Sequence, residues 1–193
     1  MSKTQRPSSA RKRILETAEK LFYAEGIRAV GIDRVISEAG VAKMTLYNHF
    51  PSKDDLILEV LKFREEQFDL FFNKRMALHL SRGMSPLKAF FAGLRDWFKD
   101  PDYRGCAFIN ATAELADSNH AASRFCSAHK RRFREMLTNL IIETGGPKAA
   151  AVAPAISVLV EGAIVTSVSE GNAEAADIAE EAAWMLIAKT KRK

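Results

Sequence analysis

The chain has 193 residues, 47% of them hydrophobic and 27% charged, with a formal net charge of +5. That balance fits a folded protein with one core or two small ones, and no apolar run reaches the roughly 20 residues of a bilayer crossing. Two cysteines, Cys106 and Cys126, are too few and too far apart for a disulfide framework or a zinc site.

The longest apolar candidate, Ala149 to Val168, is interrupted by Pro154, Glu161 and Gly162. The start, MSKTQRPSSARKR, is basic but has no apolar stretch behind it, so it does not read as a secretory leader and the expectation is a cytoplasmic protein. Positive charge gathers at Lys3, Arg6, Arg11, Lys12 and Arg13 and again from Lys189 to Lys193, a mild pointer to a polyanion.

Helical spacing runs through the chain, and strand alternation is missing. Residues 1–8 are expected to be a flexible basic tail. Ile14, Leu15, Ala18, Leu21 and Phe22 make one face of a first helix, capped by Ser8 or Ser9 and stopped at Gly26. A second helix, IDRVISEA, turns Ile32, Val35, Ile36 and Ala39 inward and ends at Gly40. A third starts at Ala42 or Lys43 and ends before Pro51. Ser52 and Asp55 form a box-like start for a long fourth helix, which continues past residue 70.

Further helices follow. One carries Leu87, Phe90, Phe91, Leu94, Trp97 and Phe98. The segment GCAFINATAELA follows the turn Asp100 to Gly105. Others run from Ala121 to Thr144, Ala149 to Ser169 and Ala173 to Lys191. The expected fold class is therefore all-α with about nine helices.

The second and third helices, joined by AGVAK, form a helix-turn-helix. Gly40 sits where the chain needs positive φ, and so short a turn gives a crossed pair with its second helix turned outward, sized for the DNA major groove. A helix of about seven residues is not stable alone. Leu46 and Phe50 are its anchors, which frees its polar side chains for another task.

The stretch from Lys12 to Leu58, with ILxxAxxLF, the AGV turn and above all TLYNHFPSK, resembles the TetR family of ligand-responsive transcriptional regulators. The resemblance implies a helix-turn-helix head over 9–58 and an effector-binding and dimerisation domain over 59–193. It implies phosphate contacts for Tyr47, His49 and Lys53. Lys43, Met44 and Asn48 fall where family members vary with operator sequence, so they are expected at base edges: Lys43 on guanine, Asn48 on adenine, Met44 on a thymine methyl. Thr45 suits a phosphate or sugar. Arg34 is expected to reach a base or the backbone. Arg11, Lys12 and Arg13 either follow flanking phosphates or form a solvated helix end. Two positions depart from the family pattern. Gly31 stands where a Thr cap is frequent, and Ile36 replaces a small residue, which predicts a wider or tilted helix crossing.

Residues 63–146 are rich in aromatics, which read either as ordinary core or as the wall of a cavity for an apolar or aromatic ligand. The resemblance puts an effector pocket here, with Phe91, Trp97, Phe108 and Phe125 as walls and Asn110 and Glu114 as polar lining. His120 and His129 lack a third ligand at metal spacing, so no metal or cofactor is expected, and His129 to Arg132 reads as a solvated face. Cys106 reads as a packed thiol, with redox sensing as the other use. The small-residue-rich last two helices suit a four-helix contact between two subunits, with Val158, Gly162, Val165, Trp184 and Ile187 in the interface.

The implied function is a homodimeric, ligand-responsive regulator, a repressor released from a pseudo-palindromic operator on double-stranded DNA. It is not an enzyme and has no membrane partner. The alternative is an all-α ligand carrier or enzyme with an incidental helix-turn-helix, but no nucleophile–base pair or phosphate loop supports it.

Overall fold

The computed structural model describes residues 9–191. The basic tail over 1–8, with the Ser8 cap, lies outside the described residues. Among the described residues there are nine α-helices and no strand: α1 Ser9–Glu25, α2 Ile32–Ala39, α3 Lys43–His49, α4 Lys53–Ser81, α5 Pro86–Phe98, α6 Ala107–Leu115, α7 Ala121–Gly145, α8 Ala153–Ser169 and α9 Ala175–Lys191. A short 3-10 helix, Pro147–Val152, precedes α8. Pro154 lies at the first positions of α8, where a missing N–H costs nothing, so the expected helix from residue 149 begins later.

Packing divides the chain differently from the linear expectation of 9–58 and 59–193. One compact unit runs up to Gln67 and also takes Ala107–Ser127, and the other holds Phe68–Cys106 and the chain from Ala128 onward.

In the first unit, α1 buries Ile14, Leu15, Ala18, Leu21 and Phe22, the face that its 3.6-residue period predicts. It packs against α2 and α3. Val35, Leu46, Phe50, Leu56, Ile57, Val60 and Leu61 complete the core of the head. The start of α4 is the expected box: the Asp55 N–H donates to Ser52 Oγ at 3.0 Å, and Ser52 Oγ donates to Asp55 Oδ2 at 2.7 Å.

In the second unit, aromatic rings fill one another's space. Trp97 lies 4.8 Å from Phe68 and 5.0 Å from Tyr103 between centroids, and Phe90 lies 5.3 Å from Phe91, all edge to face. α8 packs on α9, and α5 also packs on α9. Ala175, Ala176, Ala179 and Ala183 are buried and allow this close approach. Arg95 pins α5 to α9 through Asp177 at 2.8 Å and Glu180 at 2.7 Å.

Pro147–Ser169 has a mean hydropathy of 1.9 over its most apolar window, long and apolar enough by composition to cross a membrane, contrary to the reading of this run as too interrupted. Here it is partly a core helix, with Ile156, Val160, Ala163 and Ile164 turned inward.

Candidate nucleic-acid interface

The turn between α2 and α3 is built by Gly40. Its φ of 61° and ψ of 46° are left-handed, and no side chain lies near enough to object to a Cβ, so the backbone angle alone requires glycine. The Gly40 N–H donates to Ser37 O and the Val41 N–H to Ile36 O, each at 3.3 Å. This paired closure of the last turn is a Schellman motif. α2 starts at Gly31, which offers no side-chain cap, and Ile36 is half-buried.

α3 is seven residues long. Leu46 is fully buried, and Phe50, just beyond the helix end, is 1% exposed. Phe50 is extended, with φ of −137°, as a residue before proline must be. With these anchors inward, the helix presents Lys43, Met44, Tyr47 and Asn48 outward on one face, with Met44 71% exposed. Thr45 and His49 flank that face, half-buried. Lys43 Nζ reaches Asp33 Oδ1 at 3.2 Å, but both side chains are largely in water, so this pair yields readily to a stronger anion.

Other cations predicted for DNA have partners within the protein. Lys53 Nζ donates to the carbonyl oxygens of Ile27 and Val30, both at 2.7 Å, and sits 5.8 Å from the centre of the Phe22 ring. Arg34 grips Glu25 with both terminal nitrogens and donates from Nε to Glu38 Oε1 at 2.8 Å. Those hydrogen bonds, Glu25 first, hold its pKa well above the ordinary arginine value. Arg11 pairs with Glu59 and lies over the Phe50 ring, Lys12 sits 3.6 Å from Glu16, and Arg13 donates to Ala39 O at 3.3 Å. The Arg34–Glu38 pair was visible as an i,i+4 spacing. The partners of Lys53 were not, because they are backbone atoms more than twenty residues away.

The family model for bacterial regulatory proteins of the tetR family matches residues 14–60. The model for the C-terminal domain of LmrA/YxaF-like transcriptional regulators matches residues 84–182, half of the chain. A solved TetR-family transcriptional regulator of Streptomyces coelicolor is 34% identical, with 95% of this chain and 94% of that one aligned at a TM-score of 0.74. The chain belongs to the TetR family. A TetR regulator of Chloroflexus aurantiacus, 24% identical over 93% of this chain and 94% of that one at a TM-score of 0.75, shares the fold. An HTH-type transcriptional regulator of Staphylococcus aureus strain USA300 is 39% identical over 61 residues, 32% of this chain and 31% of that protein. The chain thus spans about a third of the length of the curated relatives it matches. Membership puts this TetR-family protein among transcriptional regulators rather than enzymes.

The predicted effector residues fall into both units. Phe91 and Trp97 belong to the aromatic core of the second. Phe108 and Phe125 belong to the first, with ring centroids 6.4 Å apart. Asn110 and Glu114 line a small cavity of about 30 Å³ within the first unit, floored by Phe22, Ile27, Ile57, Val60 and Leu61. Glu19 and Arg64 border it, joined at 2.6 Å, with the guanidinium 3.8 Å from the centre of the Tyr23 ring. That volume suits a water or two as it stands. Among the described residues, no three of His, Cys, Asp or Glu come together as metal ligands.

Of the predicted dimer residues, Val158, Gly162 and Val165 stand exposed on one side of α8, and Ile178 and Met185 are exposed on α9. Trp184 is half-buried and donates from Nε1 to Glu180 Oε1 at 3.2 Å. Ile187 corrects the expectation. It is 1% exposed and points into its own subunit, where its Cγ2 would lie 2.8 Å from a Cβ at Gly145, so it has no area to give to a partner.

Proposed function

We propose that this TetR-family protein is a cytoplasmic homodimeric repressor that reads a pseudo-palindromic operator with α3 and leaves it when a small apolar or aromatic effector binds. The observation that carries the reading is the outward face of α3, where Lys43, Met44, Tyr47 and Asn48 stand clear of the core while Leu46 and Phe50 hold the helix from behind. Lys43, Met44 and Asn48 supply a donor, an apolar contact and an amide for base edges. Tyr47, with Thr45 and His49 beside it, supplies phosphate contacts that set register.

One seven-residue helix reads too little sequence, so two heads are needed about 34–36 Å apart. The exposed apolar side chains Val158 and Val165 of α8 and Ile178 and Met185 of α9 support pairing, because a partner would take them out of water. The effector acts by binding one dimer geometry more tightly than the other.

Selection of duplexes from a random library, followed by gel shift, tests this reading. A selected sequence with two related half-sites one helical turn apart, bound by a dimer, is the expected outcome. Enrichment of no duplex would overturn it.

A further inference from the structure

The corner of residues 26–31 joins α1 to α2 and so adds to the core packing that places the helix-turn-helix. Three polar ties hold that corner. One comes from the head itself, the Lys53 ammonium on Ile27 O and Val30 O. The other two come from the end of α6. The Arg28 N–H donates to Glu114 Oε2 at 2.9 Å, and the Arg28 guanidinium donates to Leu115 O at 3.3 Å.

The fit around Glu114 is close. A Cβ added at Gly26 would lie 3.0 Å from Glu114 Oε2, and Gly26 itself has φ of +95°, so glycine both makes the corner and leaves room for the carboxylate. On the other side of the tie, Ala116 follows the last residue of α6 with φ of 52°, the one described non-glycine residue in the left-handed region. Such strain persists where the surroundings over-determine it. α6 lies inside the stretch matched by the family's C-terminal domain, residues 84–182, yet it packs in the unit that contains the helix-turn-helix. A carboxylate from C-terminal-domain sequence therefore grips the backbone that aims the reading head.

We propose that Glu114 is a positioning residue for DNA reading: its carboxylate, by accepting the Arg28 N–H over Gly26, holds the α1–α2 corner in the set that presents α3 to DNA. The inference rests on the DNA-reading function above. A hydrogen bond from an amide to a charged acceptor is strong enough to change the populated set of a short loop by about tenfold, and apparent affinity falls with the fraction in the competent set.

The test compares wild type, Glu114→Ala and Glu114→Gln in the full chain, on a duplex enriched with wild type. Expected is a roughly tenfold weaker Kd for Glu114→Ala at an unchanged salt slope, with faster amide exchange at Arg28. Glu114→Gln keeps an acceptor oxygen without its charge and should recover part of the affinity and of the Arg28 protection that Glu114→Ala loses. Should Glu114→Ala fail to fold, Glu114→Asp, one methylene short, takes its place with the same expected loss. Equal Kd for wild type and Glu114→Ala, or no recovery in Glu114→Gln, overturns the positioning role while leaving the DNA-reading function intact. A wild type that enriches no duplex overturns both.

Discussion

The ammonium of Lys53 lies 2.7 Å from the carbonyl oxygen of Val30 and equally close to that of Ile27. It staples the first turn of α4 to the corner between α1 and α2 from inside the head. The TLYNHFPSK block implies a phosphate contact for Lys53, and the two carbonyl partners give the same side chain a structural use. Two hydrogen bonds from a charged donor at a half-buried site contribute about 3 kcal/mol together. Lys53→Ala should lower unfolding free energy in urea by about that amount. If the structural use is its whole role, the salt slope for DNA binding should match wild type. A reduced slope with unchanged stability would support the phosphate role.

The exposed face of α8, proposed above as a dimer contact, gives a second expectation. Val158 is 72% exposed within one subunit. A charge there stays in water in the monomer but is buried without a partner in a paired bundle. Val158→Glu should therefore leave helicity and monomer stability within about 0.5 kcal/mol of wild type. It should shift the species seen in light scattering from dimer to monomer and abolish operator binding. Ile187→Ala should behave in the opposite way. It creates a cavity inside the subunit and costs about 2–5 kcal/mol of stability whatever the oligomeric state.

A third concerns pH. Burial pushes the Glu59 carboxyl up, but the hydrogen bond and charge of Lys62 at 2.7 Å, joined by Arg11, outweigh burial and hold it below its ordinary value of 4.5. A carboxyl depressed in the folded state adds stability above its unfolded pKa and loses it as pH falls through the folded one. Glu59→Gln should thus be less stable than wild type at pH 7, and the gap should close as pH drops below about 4.5. Urea midpoints of the two proteins at pH 7 and pH 3 check this. A constant gap would mean that the carboxylate charge contributes nothing.

Much of this was legible in the residues. The periodic face of α1, the left-handed stop at Gly40, the Ser52–Asp55 box and the break before Pro51 are local, and local patterns fix them. The outward face of α3 was also legible, since Leu46 and Phe50 are the side chains that must be buried. What escaped depends on contacts far along the chain. Nothing near Lys53 announces that its partners are the carbonyls of Ile27 and Val30. Nothing near Ala107–Leu115 announces that α6 joins the head through Glu114. Ile187 shares a helix with Met185 and continues the buried stripe of Ala176, Ala179 and Ala183, small residues that did not mark their side of α9 as the inward one.

The most direct test of the central claim is base preference in Asn48→Ala. Binding of wild type and variant is measured against the enriched duplex and every single-base change within one half-site. The expected result is a loss of discrimination of about 1–3 kcal/mol at one position of each half-site, with the other positions unchanged. Tyr47→Phe, run beside it, should weaken all sequences alike. If Asn48→Ala keeps the full wild-type preference at every position, then α3 does not read bases in the way its exposed face suggests.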